Sequence, residues 1–217
     1  MGTVNLFTTP VRVLDGLVDS SKIDMLRDAV VRYKQSIISD PRFLHSQSVS
    51  RPIMTNLIIR DVRDHVSELN IITDSIAGSV RDYAISLTGD SDIDIELSHS
   101  WLAYQSSGFY VQRHNHTFVT EPRARTELSI THTIVHINAI FYIAATSQDK
   151  LDLYYPNQNM VLTSGTRSLS GLVAGAIPCK ANRLVLIPSW LDHSVDARPR
   201  DRDKICLSAN YVIRKQN

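Results

Sequence analysis

Residues 101–116 read WLAYQSSGFYVQRHNH and end in a His-Asn-His triplet. On a strand, successive side chains point to opposite faces, so His114 and His116 share one face while Asn115 points away. A distant partner stretch, Leu184 to Tyr211, carries the lone histidine of LIPSWLDHSV and then the run DKICLSANYV. If His193 arrives from another strand, three imidazoles converge on a site open on one side. Non-haem iron(II) oxygenases use a two-plus-one ligand set of this kind, with vacant coordination positions.

Outward from this stretch, hydropathy sorts the chain into two regimes. After Gly89-Asp90-Ser91-Asp92 the period is two: segments 93–105, 109–118, 134–145, 151–155, 160–164, 183–188 and 204–213 read as strands rich in Val, Ile, Leu and Tyr. Before it, Ile23, Leu26, Val30 and Tyr33 fall at helical spacing, predicting a helix over about 22–36 capped by Ser20 or Ser21. Val66, Leu69, Ile72, Ile76, Val80, Tyr83 and Leu87 form a second apolar stripe, predicting a helix over 63–87. Val4 to Val13 reads as an edge strand interrupted by Pro10, and Asp40 to Pro52 as a loop. Two helices followed by many short strands predict an α+β domain built on a sandwich or barrel. The charged stretch EPRARTELSITHT, 121–133, is a candidate lid.

Composition narrows the function classes. At 217 residues the chain is expected to be one domain, 1–217, with residues 1–92 supporting a β core over 93–217. A net charge of +1 supplies no bulk field for a phosphate backbone, so there is no strong nucleic-acid signal. Two cysteines, Cys179 and Cys206, are too few for a disulfide framework and fit a reducing compartment. The start MGTVNLFTTPVRVLDG lacks a signal-peptide pattern, and no apolar run nears the roughly 20 residues that span a bilayer, so a cytoplasmic location is expected. Asp90, Asp92 and Asp94 imitate a calcium loop, but Ile95 takes the required glycine position and Trp101 that of the closing glutamate. No GxSxG, phosphate-cradling glycine loop or CxxC pair is present. His132 and His136 are read as structural or substrate-facing.

GFYVQRHNH at 108–116, FYIA at 141–144, LVLIPSWLDHSV at 184–195 and KICLSANY at 204–211 together resemble the short 2-oxoglutarate/iron(II)-dependent oxygenases of the prolyl-4-hydroxylase-like group. The likeness extends in outline to LFTTPV at 6–11 and the two helices. It implies a double-stranded β-helix, or jelly roll, buttressed by helices, with Fe(II), 2-oxoglutarate and O2 as cofactor and cosubstrates. The reaction it implies is decarboxylation of 2-oxoglutarate to succinate coupled to hydroxylation of a small-molecule or peptidyl substrate. Its iron motif is His-x-Asp/Glu plus a distal His, so His114 and His193 match while His116 stands at the carboxylate position. Three neutral imidazoles leave the site one negative charge short, which weakens iron(II) or raises its potential, and also suits zinc. Asp192 neighbours His193 and is expected to point to the other face.

The resemblance also implies a buried cation and a hydroxyl for the distal carboxylate of 2-oxoglutarate. Lys204 takes the cation position, sharing a strand face with Cys206, Ser208 and Asn210, and Arg202 is its fallback. Tyr142 takes the hydroxyl position, and Tyr104 resembles the family tyrosine near the other end of 2-oxoglutarate. Lysine offers a point charge in place of arginine's fork. Two other readings stay open: a jelly-roll metal- or ligand-binding module without oxygenase chemistry, and a cupin-like metalloenzyme that ignores 2-oxoglutarate. Oligomeric state is open too, a homodimer being one option.

Overall fold

The structure is a computed structural model describing residues 9–39, 53–55, 61–120, 132–146, 148–154, 173–197 and 201–215. The expected loop at 40–52, the expected strand at 160–164, residues 4–8 of the first expected strand and residues 121–131 of the candidate lid lie outside them. In chain order the elements are β1 (Arg12–Asp15), α1 (Ser20–Ile38), β2 (Ile53–Met54), α2 (Asn70–Thr88), β3 (Ile93–Gln105) and β4 (Val111–His114). Then come β5 (Phe118–Thr120), β6 (His132–Ile134), β7 (Ile137–Ala144), β8 (Lys150–Tyr154) and β9 (Val173–Pro178). β10 (Arg183–Pro188), β11 (His193–Val195) and β12 (Lys204–Lys215) complete the series.

The larger sheet runs β1-β10-β7-β12-β3-β2, the smaller β4-β11-β8-β9, and β5 and β6 pair in a separate arm. All the paired strands in these sheets are antiparallel. The alternation of β3 divides the interior in two. Leu102 and Tyr104 join Leu26, Val30, Ile72, Ile76 and Val80 in a core between the helices and the larger sheet. Trp101 and Ala103 join Ile140, Tyr142, Leu151, Leu153 and Val195 in a second core between the two sheets. Two sheets facing across one core, with helices on the outer face of the larger, make the double-stranded β-helix implied by the resemblance.

Helix α2 is shorter than its apolar stripe predicts. Residues 62–64 and 67–69 form two 3-10 turns, and the α-helix begins at Asn70. Tertiary bonds override the period here: Val62 N–H donates to Ser100 Oγ (3.1 Å), and Ser100 Oγ donates to Asp61 (2.6 Å), tethering the segment to β3. At the other end Gly89 adopts φ +71°, the left-handed conformation, and its N–H donates to Ile85 O (2.8 Å), which stops the helix as expected. Helix α1 starts two residues before the predicted position, with Asp19 rather than Ser20 or Ser21 at its N-cap. Asp90 Oδ1 accepts from Asp92 N–H (2.9 Å) in a turn leading into β3, in keeping with the rejected calcium loop. Among the described residues no helix is long and apolar enough to cross a membrane.

Candidate active site

β4 and β11 lie side by side in antiparallel register with His114 opposite His193, so the two imidazoles are delivered to one place by strand pairing. Their ring centroids are 4.4 Å apart. His116 follows β4 by two residues, and its backbone N–H donates to Ser189 O (2.8 Å), which fixes the turn out of the strand. Its ring stacks on Trp101 (5.4 Å, 18°) and lies parallel to His193 (5.1 Å, 7°). One ligand atom from each histidine lies within 4.8 Å of the others. Three imidazoles gathered this closely are the donor set of a metal site, for which His–metal bonds run roughly 2.0–2.1 Å.

The tautomers of two rings follow from their partners. His114 Nδ1 donates to Gln112 O (2.7 Å) and His193 Nδ1 to Leu191 O (3.0 Å). A carbonyl oxygen only accepts, so each Nδ1 carries the proton and each Nε2 lone pair is left for a ligand. Backbone carbonyls orient metal-binding histidines in this way. Burial, reinforced by the neighbouring His114, pushes His193 down to about 4, although the Leu191 bond and Asp192 oppose it. Burial, with His193 and His114, holds His116 well below the ordinary histidine value too. Both are therefore neutral at pH 7, the form that ligates metal.

Asp192 stays outside the triad, as its strand parity predicts. Its Oδ2 accepts from Arg113 Nη2 (2.6 Å) and its Oδ1 from Asn115 Nδ2 (2.8 Å). Burial works against its charge, but the bonds from Asn115 and Arg113 outweigh it and lower its pKa below the usual carboxylate value. His136 is structural: its Nδ1 accepts from Ile213 N–H (2.9 Å).

The histidines stand at the wall of a cavity of about 420 Å³, open mouth included, which Trp101, Gln105, Tyr142, Lys204, Cys206 and Ser208 also line. Lys204 is 1% exposed and, among the described residues, is the one Lys, Arg, Asp or Glu in the lining. Among the described residues no carboxylate pairs with it; its Nζ lies 5.5 Å from the centroid of the Tyr142 ring. The adjacent Asp203 is occupied elsewhere, bound by Lys34 Nζ and by Ser106 Oγ (2.7 Å). Tyr142 is fully buried, its hydroxyl without a hydrogen-bond partner among the described residues. Burial first, then Cys179 and Cys206, raises its pKa well above the tyrosine norm, so it is a neutral donor. Beside them the β12–β7 register slips between Ile205 and Cys206, a bulge of the kind that re-aims side chains at sites.

Two expectations are corrected. Tyr104 does not reach the cavity: strand alternation turns it to the helix side, where its hydroxyl donates to Val30 O (2.7 Å). Arg202 is exposed in the bend before β12 and does not line the cavity, so the fallback to Lys204 has no support. Gln105 and Trp101 were absent from the expected site. Their signal was parity, since both lie an even number of residues from Ala103 on the cavity face of β3.

No family model matches the sequence, and no curated protein matches it. Solved structures do resemble it. HygX from Streptomyces hygroscopicus with nickel and 2-oxoglutarate bound superposes with a TM-score of 0.60 at 14% identity, over 94% of this chain and 82% of that one. A prolyl hydroxylase from Trichoplax adhaerens, in complex with a hypoxia inducible factor peptide fragment, gives 0.59 at 15% identity, over 94% and 84%. A Pseudomonas putida prolyl-4-hydroxylase gives 0.54 at 14% identity, over 97% and 95%. The likeness establishes a shared fold along nearly the whole chain.

Proposed function

We propose that this chain is an iron(II)- and 2-oxoglutarate-dependent dioxygenase, a hydroxylase, formed by one domain over residues 1–217. The carrying observation is one cavity that holds both three converging imidazoles and a buried lysine ammonium with no described counter-ion. A buried ammonium is costly unless a charge comes to meet it. A dicarboxylic 2-oxo acid supplies that charge at one end and metal-chelating oxygens at the other. This favours the oxygenase over a bare metal-binding module, which would not need Lys204.

His114, His116 and His193 would hold the ion. When bound, iron(II) with 2-oxoglutarate and O2 supplies oxidative decarboxylation to succinate, coupled to hydroxylation of a substrate C–H bond. The rest falls to the chain's own side chains. Lys204 neutralises the distal carboxylate and Tyr142 Oη donates a hydrogen bond to it. Gln112 and Leu191 carbonyls keep the His114 and His193 rings turned inward. Trp101 packs against His116 and excludes water from that side.

Trp190, 46% exposed, follows Ser189, whose carbonyl accepts from His116 N–H, and is an exposed apolar side chain next in sequence to that anchor. A peptidyl or small-molecule substrate fits, and the Trichoplax neighbour's peptide complex supports the peptidyl option. Cys179 and Cys206 are buried and form no disulfide, which fits a reducing cytoplasm. The test is succinate formation by iron-loaded protein given 2-oxoglutarate in air, with candidate substrates. His114→Ala and His193→Ala should each lower it at least about 100-fold. Undiminished turnover in either variant would overturn the site.

A further inference from the structure

We infer that Gln105 is a third anchor for the distal carboxylate, a positioning residue that supplies the directional bond Lys204 cannot. The inference rests on the oxygenase reading. Gln105 closes β3, is 1% exposed and lines the cavity. It sits directly opposite Lys204 in the β12–β3 register, so the two side chains project side by side. Its Oε1 is buried without a hydrogen-bond partner among the described residues, as is Tyr142 Oη. Native proteins seldom leave such atoms orphaned, because desolvating them brings no return.

A structural role does not account for this carboxamide. At a purely packed position leucine or methionine would fill the same volume without an unsatisfied oxygen. No described side chain bonds it, and Asp203, the nearest carboxylate in sequence to Lys204, is already held by Lys34 and Ser106. One incoming carboxylate meets the donors of this cluster, the Lys204 ammonium, the Tyr142 hydroxyl and the Gln105 amide N–H, while Oε1 itself, an acceptor, must turn away from it. An ionised carboxylate has about four acceptor positions, enough for the ammonium, the tyrosine hydroxyl and an amide N–H together. A half-turn of the carboxamide exchanges Oε1 for Nε2, so the donor can face the ligand.

The pairing also explains how lysine suffices. Arginine would grip a carboxylate with two parallel N–H bonds, whereas an ammonium fixes charge but not orientation. Lys204 and Gln105 on adjacent strands divide that task, one giving the charge and the other the aim. The cavity should therefore discriminate 2-oxo acids by their distal carboxylate, through Gln105.

Titration calorimetry of iron(II)-loaded protein under nitrogen tests this, using 2-oxoglutarate and 2-oxovalerate, which keeps the chain length but lacks the distal carboxylate. Gln105→Met should weaken 2-oxoglutarate roughly tenfold while leaving 2-oxovalerate within about twofold of wild type. Gln105→Glu, which sets a carboxylate against Lys204, should weaken 2-oxoglutarate further still and again spare 2-oxovalerate. If either variant binds 2-oxoglutarate like wild type, or loses both ligands equally, the assignment is wrong while the oxygenase reading stands. A wild type that takes up iron but ignores 2-oxoglutarate overturns the oxygenase reading itself, and this inference with it.

Discussion

His193 shows how burial writes chemistry into one side chain. Its imidazole is 4% exposed and titrates at about 4, against about 6.5 in an unfolded chain. Between those values the unfolded state binds the proton and the metal-free folded state does not. Stability from this group is thus complete above about pH 6.5 and is lost as pH falls toward 4, by about 3 kcal/mol over the whole window. His116 shifts in the same direction and adds to the loss. Urea unfolding of metal-free protein should show a midpoint that falls steeply from pH 7 to pH 4.5, and a shallower fall in His193→Asn. Equal slopes in the two proteins would contradict the assigned burial of His193.

Strand β3 illustrates at the scale of an element what alternation decides. Trp101, Ala103 and Gln105 face the cavity, while Leu102 and Tyr104 face the helices. The resemblance sets Tyr104 near one end of 2-oxoglutarate, yet the same period-two rule that aligns His114 with His116 excludes it. Its hydroxyl joins β3 to α1 through Val30 O. Tyr104→Phe should lower stability by about 1 kcal/mol, the worth of one such bond, and leave 2-oxoglutarate affinity unchanged. A large loss of cosubstrate binding with unaltered stability would return Tyr104 to the site. Legibility of the strands followed their composition. β3 and β10 were readable to the residue because Val, Ile, Leu and Trp alternate or run unbroken there. β9 (VAGAIP) was missed, since Gly and Ala carry little strand propensity and its pairing with β8 supplies the order. β11 was too short to read at three residues. The helix predicted from 63 lost its first turns because Ser100, 38 residues away, competes for Val62.

For the whole molecule, the decisive event is the closing of two sheets over one core, which brings residues 101–116, 142, 184–195 and 204–211 together. The chain order of short motifs made that closure readable, and it made the histidine triad readable with it. Absolute position within the cavity was not readable: Gln105 carries no charge and no motif, and only its register opposite Lys204 gives it meaning. The proposed function makes one demand on the folded protein, that metal and dicarboxylate share the one enclosure that His114, His116, His193 and Lys204 line. A crystal structure of the protein with iron(II) and 2-oxoglutarate under nitrogen, with anomalous data at the iron edge, measures this directly. The account predicts a single iron peak about 2.0–2.2 Å from one nitrogen each of His114, His116 and His193. It also predicts 2-oxoglutarate reaching from that ion to Lys204. An iron peak that leaves His193 unbound, or 2-oxoglutarate lying away from Lys204, would contradict it.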